Sequence, residues 1–290
     1  YTRSGSFYLP QQDGSLSLCA SDAVPREWAD GRWWYRTDPG WTQLVLNSHD
    51  MTQASWTKPS VTVTRPSVST PDGAGVSNRW TPSASTGAYK EVQYGVSCTA
   101  GQSYTVVAVA KAETYRYIQM VGTGPVGSYY RNIDLQTATE TAYSAGTSTI
   151  VGRGIQQLAD GWVLIWVTIT ALTTASNFSS RINVIPVANS ERSVSWTPDG
   201  TSSILVHCMN VTNTAYQVPL TVSAASAVPI GNHTWAQTLA ALGVTLGGEF
   251  SLYAEVQNLA ALSSSSHIAR IDAGTETNRA VLYRPRSEER

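Results

Sequence analysis

Charge is the first thing this chain is short of. Charged residues make up 13% of it and the formal net charge is -1, about half the usual charged share. That balance leaves no electrostatic footprint for nucleic acid and no basic patch for anionic lipid. Long apolar runs are missing as well, and none approaches the roughly 20 residues of a transmembrane helix. Cysteine is sparse: Cys19, Cys98 and Cys208 form an odd, widely spaced set, which is no disulfide framework and offers no pair at metal-ligand spacing. They read as three free thiols, suited to folding in a reducing cytosol. No signal peptide opens the chain and residue 1 is Tyr1, so the sequence reads as processed or as an excerpt of something longer. Helical periodicity is nearly absent. Its clearest instance is 235–242, with Thr234 as N-cap and Gly243 just past the end.

Strand chemistry fills the space left by helix. The segment from Asp160 to Thr170 opens on an Asp-Gly turn and continues in β-branched and aromatic residues. Val163, Ile165, Val167 and Ile169 share one parity and form an aliphatic face; Trp162, Leu164, Trp166, Thr168 and Thr170 share the other. This is a central sandwich strand with its aliphatic face in the core. Further strands are expected over 60–64, 89–96, 103–111, 117–121, 130–135, 161–170, 181–186 and 204–211. Short strands without intervening helices predict an all-β fold, a jelly-roll-like antiparallel β-sandwich. Residues 1–45 look like a hairpin-rich attachment segment, 46–223 like the sandwich, and 230–290 like an incomplete second β-sandwich, with strands over 250–256, 268–272 and 279–283. Trp28, Trp33, Trp34 and Trp41 are dense for so short a stretch. They read as an apolar seam against the next domain or a neighbouring subunit, with sugar stacking as the other reading.

Catalytic signatures are missing. Glycan hydrolysis needs two carboxylates about 5 to 10 Å apart. Asp13, Asp30, Asp72, Asp160 and Asp199 sit in turn signals, where they bond their own backbone, and nothing pairs Asp134 with Glu113. No nucleophile elbow, Walker loop or dinucleotide-binding glycine run is present. His49, His207, His233 and His267 are scattered, and only His207 adjoins a cysteine, Cys208. Neighbours on a strand face opposite ways, so that pair is not expected to share a metal, and the histidines read as structural. No cofactor is expected. A structural calcium has room at the Asp-bearing loops, but no loop is acidic enough to call for one.

Sugar binding asks for less: flat rings with polar tips and planar hydrogen-bonding forks. Tyr115, Tyr117 and Gln119 share a parity opposite Ile118 and Met120. Tyr130 and Asn132, with Asp134, oppose Ile133 and Leu135, and Trp166 opposes the aliphatic face of its own strand. If these strands are neighbours in one sheet, Tyr115, Tyr117, Gln119, Tyr130, Asn132 and Trp166 form an outward ledge. The competing reading places the same rings at a subunit interface.

An ordered series of short motifs bears on the function. Val24-Pro25-Arg26, Leu44 to Ser48, Trp56-Thr57-Lys58, Val61 to Thr64 and Thr70-Pro71-Asp72-Gly73 are followed by Val96 to Thr105, Val109 to Ala112, Asp160-Gly161-Trp162 and Asp199 to Ser202. The series resembles the carbohydrate-binding-like sandwich of tailed-phage fibre and head-spike proteins, found also in gene transfer agents, over about residues 1–220. Residues 230–290 resemble the opening of a laminin-G or concanavalin-like domain. The chain departs from the resemblance at Leu164 and Trp166, where polar residues are common, and at His207, where Trp is common. The resemblance implies a virion surface protein, made in the host cytoplasm, that binds host-surface polysaccharide without catalysis and aids adsorption. Its partners would be other virion proteins and sister subunits, with no nucleic acid and no membrane insertion. A purely structural fibre or decoration protein, and the binding arm of a polysaccharide depolymerase, are the rival readings.

Overall fold

The computed structural model describes residues 6–21, 41–215, 217 and 219–230 in full, and 26–29, 32–35, 266–272 and 279–284 as strands. The chain divides into two units, Tyr1–Thr234 and Trp235–Arg290. In the first unit β1 (Phe7–Pro10) pairs with β2 (Leu16–Cys19), and β3 (Arg26–Ala29) with β4 (Arg32–Tyr35). There follow β5 (Trp41–Gln43), β6 (Val61–Thr64), β7 (Asn78–Pro82), β8 (Glu91–Cys98), β9 (Ser103–Ala112), β10 (Tyr117–Gly122), β11 (Tyr129–Asp134) and β12 (Thr139–Ser144). The unit ends with β13 (Thr149–Gln157), β14 (Trp162–Thr170), β15 (Ala175–Ile185), β16 (Ile204–Thr212) and β17 (Val228–Ile230). In the second unit β18 (Ser266–Asp272) and β19 (Arg279–Arg284) form an antiparallel pair. The helix expected over 235–242 and the strand over 250–256 lie outside the described residues. Among the described residues there is no α-helix, only two three-residue 3-10 turns, and no helix long and apolar enough to cross a membrane.

Two antiparallel sheets form the sandwich. One has the order β12-β11-β10-β15-β8; the other runs β13-β14-β9-β16-β5-β17, with β7 also pairing β16 and β6 pairing β7. Alternation puts Val163, Ile165, Val167 and Ile169 of β14 against Ile118 and Met120 of β10, Ile133 of β11 and Ile182 and Val184 of β15. Each aliphatic side chain buried there contributes about 1.5–3 kcal/mol. The turn before β14 works as its residues suggest: Asp160 and Gly161 both take positive φ, 55° and 76°. At one edge the sheets are tied by charge. Arg131, buried between them, donates from Nε to Glu140 on β12 at 2.6 Å and from Nη1 to the Trp166 carbonyl on β14. Glu140 also accepts from Arg153 on β13.

The eight-stranded sheet has a second apolar layer on its far side. Trp162 and Leu164 of β14 pack there with Val107, Val109, Leu205 and Cys208, and with Leu16 from the N-terminal hairpin. The hairpin's other face, Phe7, Leu9 and Cys19, packs on Trp41 and Ile230. Trp41 is 2% exposed, so its seam lies within its own chain rather than against a particle or a sister subunit. The side chains of Trp28, Trp33 and Trp34 lie outside the described residues. All three cysteines are buried, and Cys98 and Cys208 are free thiols.

One reading of parity is corrected. The register of β16 against β9 shifts between Val206 and Cys208, leaving His207 as the extra residue of a β-bulge. Simple alternation therefore fails across this pair. The His207 ring lies edge-on to Trp162, centroids 5.9 Å apart, in the same outer layer that holds Cys208.

Candidate functional site

The residues expected to form one ledge do not share a surface. Trp166 is on β14, in the eight-stranded sheet, whereas Tyr117, Gln119, Tyr130 and Asn132 are on β10 and β11, in the other. The sandwich core separates them. The half-buried indole of Trp166 lies flat over Gly154 of β13, where an added Cβ would fall 2.0 Å from the ring. Tyr115 precedes β10, packs edge-on against Trp196 with centroids 5.3 Å apart, and accepts at its hydroxyl from the Asp199 N–H. Tyr117 has the Arg116 guanidinium 4.9 Å over its ring. Only Tyr117, Gln119, Tyr130 and Asn132 are brought together, and two of these are sealed.

What seals them is the segment 186–196. Asn132 donates from Nδ2 to the carbonyls of Ala188 and Ser190, at 2.9 and 2.7 Å. Gln119 donates from Nε2 to Asn132 Oδ1 at 2.7 Å and to the Glu191 carbonyl at 3.1 Å, and accepts from the Ser193 N–H at 2.7 Å. Thr141 donates to Ala188 O, and Arg192 to Gly122 O. Gln119 and Asn132 are thus roof anchors, fully buried, and the reading of them as an exposed hydrogen-bonding fork is corrected. Parity pointed them away from the core correctly; the loop then covered them.

The same face carries residues the ledge left out. Cross-strand register aligns Asn132, Gln119, Asn183 and Glu91 in one row across β11, β10, β15 and β8. The next row holds Tyr130, Val121, Arg181 and Gln93. In the half of these rows away from the roof anchors, polar atoms lack hydrogen-bond partners: both amide atoms of Asn183, Glu91 Oε2, Gln93 Oε1 and Arg181 Nε. Asn183 is 1% exposed and Glu91 2%. Burial pushes the Glu91 carboxyl above its ordinary value, against the pull of Arg181, 3.4 Å away, and Arg192. An unmade hydrogen bond at a buried polar atom costs about 1–3 kcal/mol, so these five call for ordered water or another partner. Applied to 181–186, alternation about Ile182 and Val184 would have turned Arg181 and Asn183 outward too.

Two carboxylates near strands, Asp134 and Glu113, are each paired with arginine. Asp134 binds Arg116, and Glu113 binds Arg79 and the Ser203 hydroxyl. For both, burial works upward, but these partners hold the carboxyl below its usual range. Asp13, Asp72 and Asp199 accept from backbone N–H groups of their own turns.

No family model and no curated protein matches the chain. Among solved structures it is similar to the CBM22-1 xylan-binding domain of Xyn10C from Paenibacillus barcinonensis, at 11% identity and a TM-score of 0.32, over 63% of this chain and 94% of that one. So loose a superposition transfers no residue and no ligand from that domain.

Proposed function

We propose that the protein binds glycan without catalysis, on the outer face of the five-stranded sheet, as a surface component of a phage-like particle. The observation that supports this reading is the set of unpartnered polar atoms on Glu91, Gln93, Arg181 and Asn183. A pyranose presents hydroxyls that both donate and accept, which suits a carboxyl group, two side-chain amides and a guanidinium side by side. Tyr130, half-buried in the second of these rows, supplies an apolar body with a polar tip. Few contacts per site mean weak binding, and many copies on a particle supply avidity. Host polysaccharide and neighbouring virion proteins would be the partners, and the virion surface the location.

A polysaccharide and glycan array, read with the full chain, tests this. Wild type should retain at least one surface polysaccharide, Asn183→Ala and Arg181→Ala should lose it, and Trp166→Ala should keep it. Binding that survives both Asn183→Ala and Arg181→Ala overturns the site. A wild-type chain that binds nothing across the array favours the structural decoration protein, a reading supported by the complete burial of Gln119 and Asn132.

A further inference from the structure

Three side chains from separate parts of the sequence converge on the far side of the eight-stranded sheet. His49 comes from the loop after β5, Asp72 from the loop between β6 and β7, and His207 from the bulge in β16. Each offers a ligand atom, and these atoms lie within 4.8 Å of one another. We infer that His49, Asp72 and His207 form a binding site for a divalent transition cation, zinc above all, which staples the two loops to the bulge.

The donors are aimed rather than merely close. Asp72 spends one oxygen on its turn: Oδ1 accepts from the Thr70 hydroxyl at 2.8 Å and the Ala74 N–H at 3.0 Å. Its other oxygen, Oδ2, stands 3.0 Å from His207 Nε2. That contact pairs Asp72 with one imidazole nitrogen, while His207 Nδ1 has no partner, in a residue 1% exposed. A buried imidazole with one nitrogen unsatisfied needs something besides Asp72. The His49 and His207 rings meet edge-on with centroids 4.6 Å apart. His49 Nδ1 is 3.2 Å from Ser48 Oγ, the kind of outer contact that orients a ligating imidazole.

Asn78 fixes the frame. Its Nδ2 donates to the His49 carbonyl at 3.3 Å and to those of Val206 and His207, while Oδ1 accepts from the Met51 N–H at 2.9 Å. The loop bearing His49 is thereby tied to the bulge bearing His207. The donor set selects the ion. Two imidazoles and one carboxylate suit zinc, with a fourth position for water, and are wrong for calcium or magnesium, which prefer oxygen. Tetrahedral zinc would hold its ligand atoms about 3.3 Å apart, so the cluster, whose ligand atoms lie within 4.8 Å of one another, would have to contract on binding. The inference is independent of the glycan reading, because the site lies on the other sheet.

The test uses the full chain, stripped with EDTA and titrated with Co2+ alone. The expected result is one saturable site with the visible absorption of a four-coordinate Co2+ centre, displaced by Zn2+ and untouched by equal Ca2+ or Mg2+. Zn2+ should also raise the melting temperature, reversibly with EDTA. His207→Ala removes a buried side chain and is a poor probe, so His49→Gln and Asp72→Asn, both on loops, carry the test. Each should weaken Co2+ binding at least tenfold and abolish the Zn2+ stabilisation. Absence of saturable Co2+ binding to wild type, or undiminished binding in both variants, overturns the site.

Discussion

The two outer faces of the sandwich solve the same problem with opposite chemistry. On the eight-stranded sheet the outer face around Trp162 and Leu164 is apolar and is closed by a hairpin that brings Leu16 onto them. On the five-stranded sheet it is polar and is closed by a loop whose carbonyls take the amide hydrogens of Asn132 and Gln119. The first closure is non-directional and scales with area. The second depends on a few aligned bonds and leaves neighbouring polar atoms unpaired. An outward side chain is therefore not a solvent-facing one in either sheet, and the physics of the cover decides what lies beneath it.

The comparison predicts its own largest effect on the apolar side. Trp162 is wholly buried and donates from its indole to the Ser69 carbonyl at 3.0 Å. Trp162→Ala should cost about 3–5 kcal/mol, read as a drop in urea midpoint with the slope unchanged. A cost near 1 kcal/mol would mean that the hairpin collapses easily onto the space. On the polar side Asn132→Ala removes its own two bonds to the roof, at Ala188 and Ser190, and should cost about 1–3 kcal/mol. Hydrogen exchange should quicken across 186–196 more than anywhere else. Uniform exchange would show that the loop is held by something other than Asn132.

A third change probes the rim of the apolar side. Gly154→Ala puts a methyl where the Trp166 ring lies, and overpacking of this kind costs about 1–3 kcal/mol. We expect the low end, because the half-buried indole is free to lift, with its fluorescence shifting to the red. An unshifted spectrum with a large loss of stability would mean that the backbone of β13 has moved instead.

Alternation made the inner layers legible and misled beyond them. Parity in the segment from Trp162 to Thr170 placed Val163, Ile165, Val167 and Ile169 in the core, and the structure puts them there. It could not assign that segment and 117–121 to different sheets, because parity describes one strand and not its neighbours. Strands β12 and β13 escaped notice. Both are edge strands with few buried side chains, and Gly152 and Gly154 interrupt β13, so no aliphatic period marks them. Strand β15 begins at Ala175, six residues before the expected start, in a polar stretch that pairs across an irregular register. The His49, Asp72 and His207 cluster was illegible for a different reason. One extra residue in β16 breaks the alternation on which the sequence argument relied, and two loops must fold back to complete the set.

The smallest expected effect sharpens the contrast most, because it reads the state of the polar face directly. Burial raises the Glu91 carboxyl above its ordinary 4.5, with Arg181 and Arg192 pulling the other way. Between pH 4.5 and that raised value the folded chain holds a proton that the unfolded chain has already released. Its contribution to stability is present below pH 4.5 and is lost as pH rises through the raised folded value. Glu91→Gln keeps the shape and removes the titration. At pH 7 it should change stability by about 1 kcal/mol or less, and its advantage over wild type should grow from pH 4 to pH 7, measured by urea melts across that range. Parallel curves would mean instead that Glu91 is charged and fully matched by Arg181. The row would then be a closed ion pair, as self-sufficient as the apolar face across the core, with nothing left over for a sugar hydroxyl to satisfy.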